Sequence, residues 1–198
     1  MLVVNDPSLA TRAEIIWQKG TNRKAFFRGE VDKYSWVDLG SSFLPSELNA
    51  AYLMAQLEML DVIQARRRAI WAQYHAGLAG LPAQLPPSLP HVRHNAHLFY
   101  LVCASIDVRS DLISYLRDNG VESVFHYHAL HRSPYFAPQY AGTPLPHADR
   151  YADCLVRLPL HYHLSEGDVA RVITLVRAFF GQKSGRVSHR KAAVTSSL

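Results

Sequence analysis

Residues Gly20–Glu58, GTNRKAFFRGEVDKYSWVDLGSSFLPSELNAAYLMAQLE, pass from a loop without apolar period into a helix that has one. Between Thr21 and Leu44 the chain holds Phe26, Phe27, Tyr34, Trp36 and Phe43 with no regular spacing. An irregular segment with so much aromatic surface is expected to pack, either within the chain or on another subunit. Ser46, just after Pro45, offers an N-cap for a long helix to about Leu78, before Gly80 and Pro82. Leu48, Ala51, Tyr52, Ala55 and Leu57 make its first half apolar, and Arg66, Arg67 and Arg68 give its second half a solvated face.

Towards the amino terminus, Leu2, Val3 and Val4 form a short β-like run. Asp6 can cap a helix with Pro7 at its first position, and Gly20 closes that helix after Ile15, Ile16 and Trp17. Towards the carboxyl terminus, the proline-rich stretch Leu81–Pro90 is a surface connection. An alternation of strand and helix follows. His97–Ala104 is expected as a strand, Val108–Asn119 as a helix capped by Asp107 and ended by Gly120, and Val121–Tyr127 as a second strand. Tyr135–Thr143 is loop, His147–Cys154 a short helix and Leu155–Leu158 a third strand. Ser165 with Asp168 forms a capping-box pattern for a last helix, Glu166–Phe180. A long helix leading into a small sheet with helices packed on it makes this an α/β chain.

The formal net charge is +5, but Lys183, Arg186, Arg190 and Lys191 crowd the last stretch, GQKSGRVSHRKAAVTSSL, which has few large apolar residues. Residues 182–198 are therefore expected as a disordered basic tail on a nearly neutral body, and a nucleic-acid groove is not required. No apolar run reaches the roughly 20 residues that cross a bilayer, and the start MLVVNDPSLA has no basic region before an apolar one. Cys103 and Cys154 lack CxxC spacing, as expected of buried thiols in the cytoplasm.

His126, His128 and His131, with His161 and His163, invite a zinc site, since residues two apart on a strand share a face. No carboxylate or cysteine of clear ligand spacing accompanies them, so a solvent-facing strand end and a substrate contact stay open beside the metal. There is no GxSxG elbow, GxGxxG loop or GxxxxGK[ST] loop. Gly40-Ser41-Ser42 is by itself only a turn before a helix. Arg23 and Arg28 are candidates to pair with a diphosphate.

The whole Gly20–Glu58 stretch resembles the DegT/DnrJ/EryC1/StrS family of sugar aminotransferases that use pyridoxal phosphate (PLP). Lys33, Tyr34 and Trp36 in DKYSWVDLG are its sharpest part, and the H-Y-x-x-L-H pattern at His126, Tyr127, Leu130 and His131 is similar to one in that family's small domain. The resemblance covers about residues 1–181 and implies the carboxyl-terminal part of a fold-type-I PLP transferase. Residues 1–45 would be the remnant of the large PLP-binding domain with its interface loop, and 46–181 the long helix and the small α/β domain.

For the intact enzyme the resemblance implies glutamate-dependent amination of dTDP-4-keto-6-deoxyglucose for surface polysaccharide, by a cytoplasmic homodimer in which each site borrows the Lys33–Ser42 loop of its neighbour. Ser41 and Ser42 are the candidates for the cofactor phosphate, because relatives often use an asparagine where Leu44 stands here. Arg28, Lys33, Tyr34, Trp36, His126 and His131 are the substrate-binding candidates. PLP chemistry needs a Schiff-base lysine and a carboxylate on the pyridine nitrogen, and the family draws both from the large domain, upstream of Met1. None of Lys19, Lys24, Lys33, Lys183 and Lys191 follows a strand in the expected setting. No catalytic residue is assigned, covalent cofactor binding by this chain is not expected, and its partners would be a nucleotide sugar and glutamate, with no nucleic acid and no membrane. Two further expectations stand beside this: a non-catalytic interaction module pairing with a full-length relative, and a small histidine-rich metal protein.

Overall fold

The structure, a computed structural model, describes residues 2–195, with side chains through 182. It divides into two compact units, residues 1–59 and 60–198, so the division falls after Met59 rather than at the expected residue 45.

In the first unit the Asp6 carboxylate accepts from the Ser8 amide at 2.9 Å, and Pro7 supplies a pre-set φ, which starts a 3-10 turn over Pro7–Leu9. That turn runs into α1 (Ala10–Trp17). Lys19 (φ 64°) and Gly20 (φ 80°) then reverse the chain before the short α2 (Arg23–Phe27). Leu2–Val4, expected as a strand, is exposed chain outside any strand; a β-like sequence needs a partner edge to become one. Ser46 caps α3 (Glu47–Glu58) as expected, accepting from the Asn49 amide at 3.2 Å.

The single helix expected from Ser46 to Leu78 is two. Met59, at φ −93° and ψ 4°, ends α3, and α4 (Leu60–Gly77) opens the second unit. No proline or glycine marks that break.

The second unit is built on three antiparallel strands in the order β1-β3-β2, where β1 is Phe99–Val102, β2 is Val124–Phe125 and β3 is Leu155–Leu158. Phe99 opposes Leu158, Val102 opposes Leu155, and Val124 opposes Arg157. β3 has the expected bounds. The flanks of the other two expected strands, 97–98 with 103–104 and 121–123 with 126–127, make no ladder and stay loop.

Three helices cover one face of this sheet: α4, α5 (Ile106–Asp118) and α7 (Glu166–Thr195). Their buried residues recur at helical spacing: Ile70 and Tyr74, continued by Leu78 just past the end of α4; Leu112 and Leu116; Val169, Val172 and Val176. They pack on Phe99, Leu101, Val156 and Leu158 from the sheet. The Tyr74 hydroxyl donates to the Pro159 carbonyl at 2.9 Å, and burial, with the Asp168 charge, raises its pKa above the ordinary tyrosine value. The other face is covered in part by α6 (Pro146–Cys154), with Val102, Cys154 and Leu155 buried and Tyr100 and Tyr151 half-buried.

Two caps account for helix starts. Ser105, not Asp107, caps α5 by accepting from the Val108 amide at 3.3 Å; the helix begins at Ile106, which puts Asp107 inside its first turn. Ser165 and Asp168 form the expected capping box, each amide bonding the other's side chain at 3.1 Å. α7 runs past the expected end at Phe180 to Thr195, and its buried residues end at Phe179 and Phe180. Side chains from 183 on lie outside the described residues, while the backbone of α7 runs as helix through most of the stretch expected as a disordered tail. Among the described residues no helix is long and apolar enough to cross a membrane.

Candidate functional site

The aromatic loop of the first unit is fixed by two glycines that meet. A Cβ on Gly40 would lie 2.2 Å from the Gly20 nitrogen and 2.6 Å from the Ile16 carbonyl oxygen, and one on Gly20 would lie 1.9 Å from the Asp38 oxygen. That close approach lets backbone bonds form directly. The Ser41 amide donates to the Ile16 carbonyl (3.1 Å), the Lys19 amide to the Ser41 carbonyl (3.2 Å), and the Val37 amide to the Gly20 carbonyl (2.8 Å). The segment from Val37 to Ser42 is thus held on the end of α1 through main-chain atoms, which leaves the side chains to face outward.

Those side chains include most of the expected site. Ser41, Ser42, Lys33 and Tyr34 are exposed. Trp36 is 78% exposed although its backbone bridges Thr21, and Leu39 and Phe43 are 88% and 65% exposed. Tyr34 packs edge-on to Phe26 with ring centroids 5.8 Å apart. Arg28 is already engaged, donating to Glu30 at 2.6 Å and Glu14 at 3.0 Å; these bonds hold its pKa above the usual arginine value and that of Glu30 below the usual carboxylate range. Binding a diphosphate there would require exchanging those carboxylates. Arg23 lies over the Phe27 ring, 5.2 Å from its centroid.

His126 and His131 belong to the second unit and do different things. His131, its side chain 13% exposed, places Nε2 3.1 Å from Asp149 of α6. Arg132 bonds Asp149 (3.2 Å) and Asp153 (2.9 Å), so the loop after β2 is tied to α6. His126 sits just past β2, half-buried, and its Nδ1 is buried without a partner among the described residues. Burial first, and then the Arg157 charge, lowers its pKa below the ordinary histidine value. Among the described residues no group of three or more histidine, cysteine, aspartate or glutamate side chains converges to hold a metal.

A cleft of about 570 Å³ opens at one end of the sheet, lined among others by His97, Glu122, Arg157, His161, Asp168 and Arg171. Arg157 was not among the expected site residues; the signal that could have found it is a single charged side chain between apolar residues in LVRL.

As a cofactor site the residues described fit one contact and lack another. The exposed Ser41 and Ser42 hydroxyls, on a backbone locked from behind, suit a phosphate oxygen. Among the lysines, Lys24 is held over the Trp17 ring at 4.3 Å and beside Glu14 at 3.7 Å, and Lys33 is exposed; neither sits in the desolvated setting that a Schiff-base lysine needs.

The sequence model of the DegT/DnrJ/EryC1/StrS aminotransferase family matches residues 1–177, and the chain belongs to that family. Among solved structures it is similar to the aminotransferase TlmJ from Streptoalloteichus hindustanus, with 28% identity and a TM-score of 0.77 over 91% of this chain and 47% of that one. It is likewise similar to DesV from S. venezuelae, with 32% identity and a TM-score of 0.77 over 89% of this chain and 45% of that one. The PMP form of a sugar aminotransferase from Streptococcus pneumoniae, Spr1654, shares the fold at 21% identity and a TM-score of 0.80, over 90% of this chain and 46% of that one. The fold is therefore the carboxyl-terminal part of a fold-type-I PLP transferase, and the chain spans about half the length of these relatives.

Proposed function

We propose that these residues are the carboxyl-terminal portion of a PLP-dependent nucleotide-sugar aminotransferase. The intact enzyme would aminate dTDP-4-keto-6-deoxyglucose with nitrogen from glutamate, as a dTDP-4-amino-4,6-dideoxygalactose transaminase does. The observation that carries this is the loop from Lys33 to Ser42: its backbone is locked by the Gly20–Gly40 contact while Trp36 and Leu39, and Phe43 just after it, stay exposed. Apolar side chains held rigidly outward are a surface made for another surface. In a cytoplasmic homodimer, Ser41 and Ser42 would donate to the cofactor phosphate of the neighbouring subunit. Lys33 would pair with substrate phosphate, and Tyr34 and Trp36 would shield the pocket from water. His126 and His131 would present ring nitrogens to sugar hydroxyls. PLP, when bound, supplies the electron sink for moving an amino group.

The test is glutamate-dependent formation of the 4-amino sugar nucleotide, read by mass spectrometry, with these residues carried in a polypeptide that includes a large domain. Failure to aminate any dTDP-keto sugar refutes the substrate assignment. The 198-residue chain alone is expected to turn over nothing; borohydride fixing PLP to one of its own lysines would overturn the placement of that lysine elsewhere. A non-catalytic module pairing with a full-length relative would use the same exposed loop, and co-elution of the chain with such a relative, without turnover of its own, would favour it.

A further inference from the structure

We propose that Arg157 and His126 form an oxyanion subsite on the small-domain sheet, taking a carboxylate or a phosphate oxygen; this rests on the aminotransferase function above and adds a residue to its site. Strand alternation sends Val156 and Leu158 of β3 into the core and Arg157 to the opposite face. There it stands between Tyr100 of β1 and Val124 of β2, its partners in register. His126 lies in the loop just past β2, two residues beyond Val124, near enough for the Arg157 charge to be felt at its ring.

Both side chains bury a polar atom with no partner among the described residues: Nε of Arg157 and Nδ1 of His126. Native folds rarely leave such atoms unmet, and two nitrogens that can both donate call for one negatively charged acceptor. The planar arginine fork suits a carboxylate or a phosphate in particular; Arg157, with its register partner Val124 but without His126, also lines the 570 Å³ cleft.

The charged groups around them are mostly engaged elsewhere. Arg171 donates to the Asn119 carbonyl at 2.5 Å, and the Asp168 carboxylate holds the Ser165 amide and hydroxyl. His97 Nδ1 lies 3.3 Å from Arg67 Nη2. From α6, Asp149 and Asp153 are bonded by Arg132, and from α5, Arg109 lies over the Phe125 ring. Glu122 lines the same cleft with no ion pair to Arg157 among the described residues, which makes it the internal competitor for the site.

In the proposed reaction the oxyanion has two sources, the carboxylate of the amino donor and the diphosphate of the sugar nucleotide. Isotope-labelled 198-residue chain is titrated with sodium glutamate and, separately, inorganic pyrophosphate, with sodium chloride at matched ionic strength as reference. The His126 ring signals, identified by their loss in H126Q, are followed by NMR. A saturable shift is expected with at least one probe, weakened at least tenfold in R157Q, partly kept in R157K and strengthened in E122Q. Saturation by glutamate alone assigns the donor carboxylate, by pyrophosphate alone the nucleotide; saturation by both leaves the shared chemistry in place. No shift beyond that of chloride, or equal saturation in R157Q with its backbone spectrum intact, overturns the subsite. Because turnover is not the readout, that failure leaves the aminotransferase function standing, and an absence of turnover leaves the subsite standing.

Discussion

Replacing Gly40 with alanine should release the Val37–Ser42 segment from α1 without disturbing the second unit. The backbone at Gly40 needs no left-handed conformation; what forbids a side chain is space, since the new Cβ would meet the Gly20 nitrogen at 2.2 Å and the Ile16 oxygen at 2.6 Å. Both are main-chain atoms, so no rotamer can swing away. Ordinary van der Waals contact begins near 3.4 Å, and the loop must withdraw by about an ångström, given carbon–nitrogen contact distances. The Ser41–Ile16 and Lys19–Ser41 bonds, at 3.1 and 3.2 Å, would then exceed hydrogen-bonding range. Two such bonds are together worth about 1–3 kcal/mol net, which corresponds to roughly a 5- to 150-fold rise in the open population. Amide hydrogen exchange at Ser41 and Lys19 reads this directly. Gly29→Ala is the control, because Gly29 has φ 74° but nothing within 4 Å of its would-be Cβ: it strains a turn without prying two segments apart. Unchanged exchange at Ser41 and Lys19 in Gly40→Ala would refute the steric lock.

In the small domain, Phe99→Ala should cost about 3–5 kcal/mol, since Phe99 is fully buried against Trp71 and Tyr74 with centroids 5.5 and 5.2 Å away; the urea midpoint measures it. Ser165→Ala removes the acceptor for the Asp168 amide and should lower stability by about 1 kcal/mol, with the loss largest in protection of the first turn of α7. Asp168 and Glu166 have folded pKa values below the ordinary carboxylate range, held there by bonds to Ser165 and to Arg66 and Gln73 respectively. Their contribution is therefore full above the unfolded carboxylate values and is lost as pH falls through the lower folded ones. Urea midpoints taken at pH 6 and then stepwise below pH 4, in wild type and in a Ser165→Ala, Glu166→Gln double variant, should draw closer as the acid is added, down to the pH-independent gap left by the lost Ser165 cap; parallel curves would contradict the linkage.

Where the sequence carries its own punctuation, its expectations and the structure agree closely. β3 has its expected bounds, closed by Pro159, and α6 begins one residue before the expected His147, at Pro146, whose fixed φ suits a first helical position. The Ser165–Asp168 box was legible because a capping box is a local exchange of bonds. The helix break at Met59 was not, because its signal is a backbone dihedral at an ordinary helix former. Leu2–Val4 shows the reverse, a strand-like run whose pattern says nothing about whether an edge stands beside it. At the candidate site, the Lys33–Ser42 loop was singled out by the family resemblance, and the prior engagement of Arg28 depends on Glu14, distant in sequence. The orphaned nitrogens of Arg157 and His126 are products of register, which no periodicity displays.

The strand at the centre of the sheet is the last of the three to be synthesised. Among the described strands β1 and β2 are not neighbours; each pairs along its ladder with β3, β1 has besides only a single bridge from Val102 to Gln84, and α5, β2 and α6 separate β1 from β3 along the chain. On the ribosome, Phe99–Val102, met on one side only by Gln84 at Val102, and Val124–Phe125 must therefore wait without their ladder partner until Leu155–Leu158 emerges. A nascent chain stalled between them would carry two sticky borders and no seam, which makes that interval the point at which chaperones would be needed most.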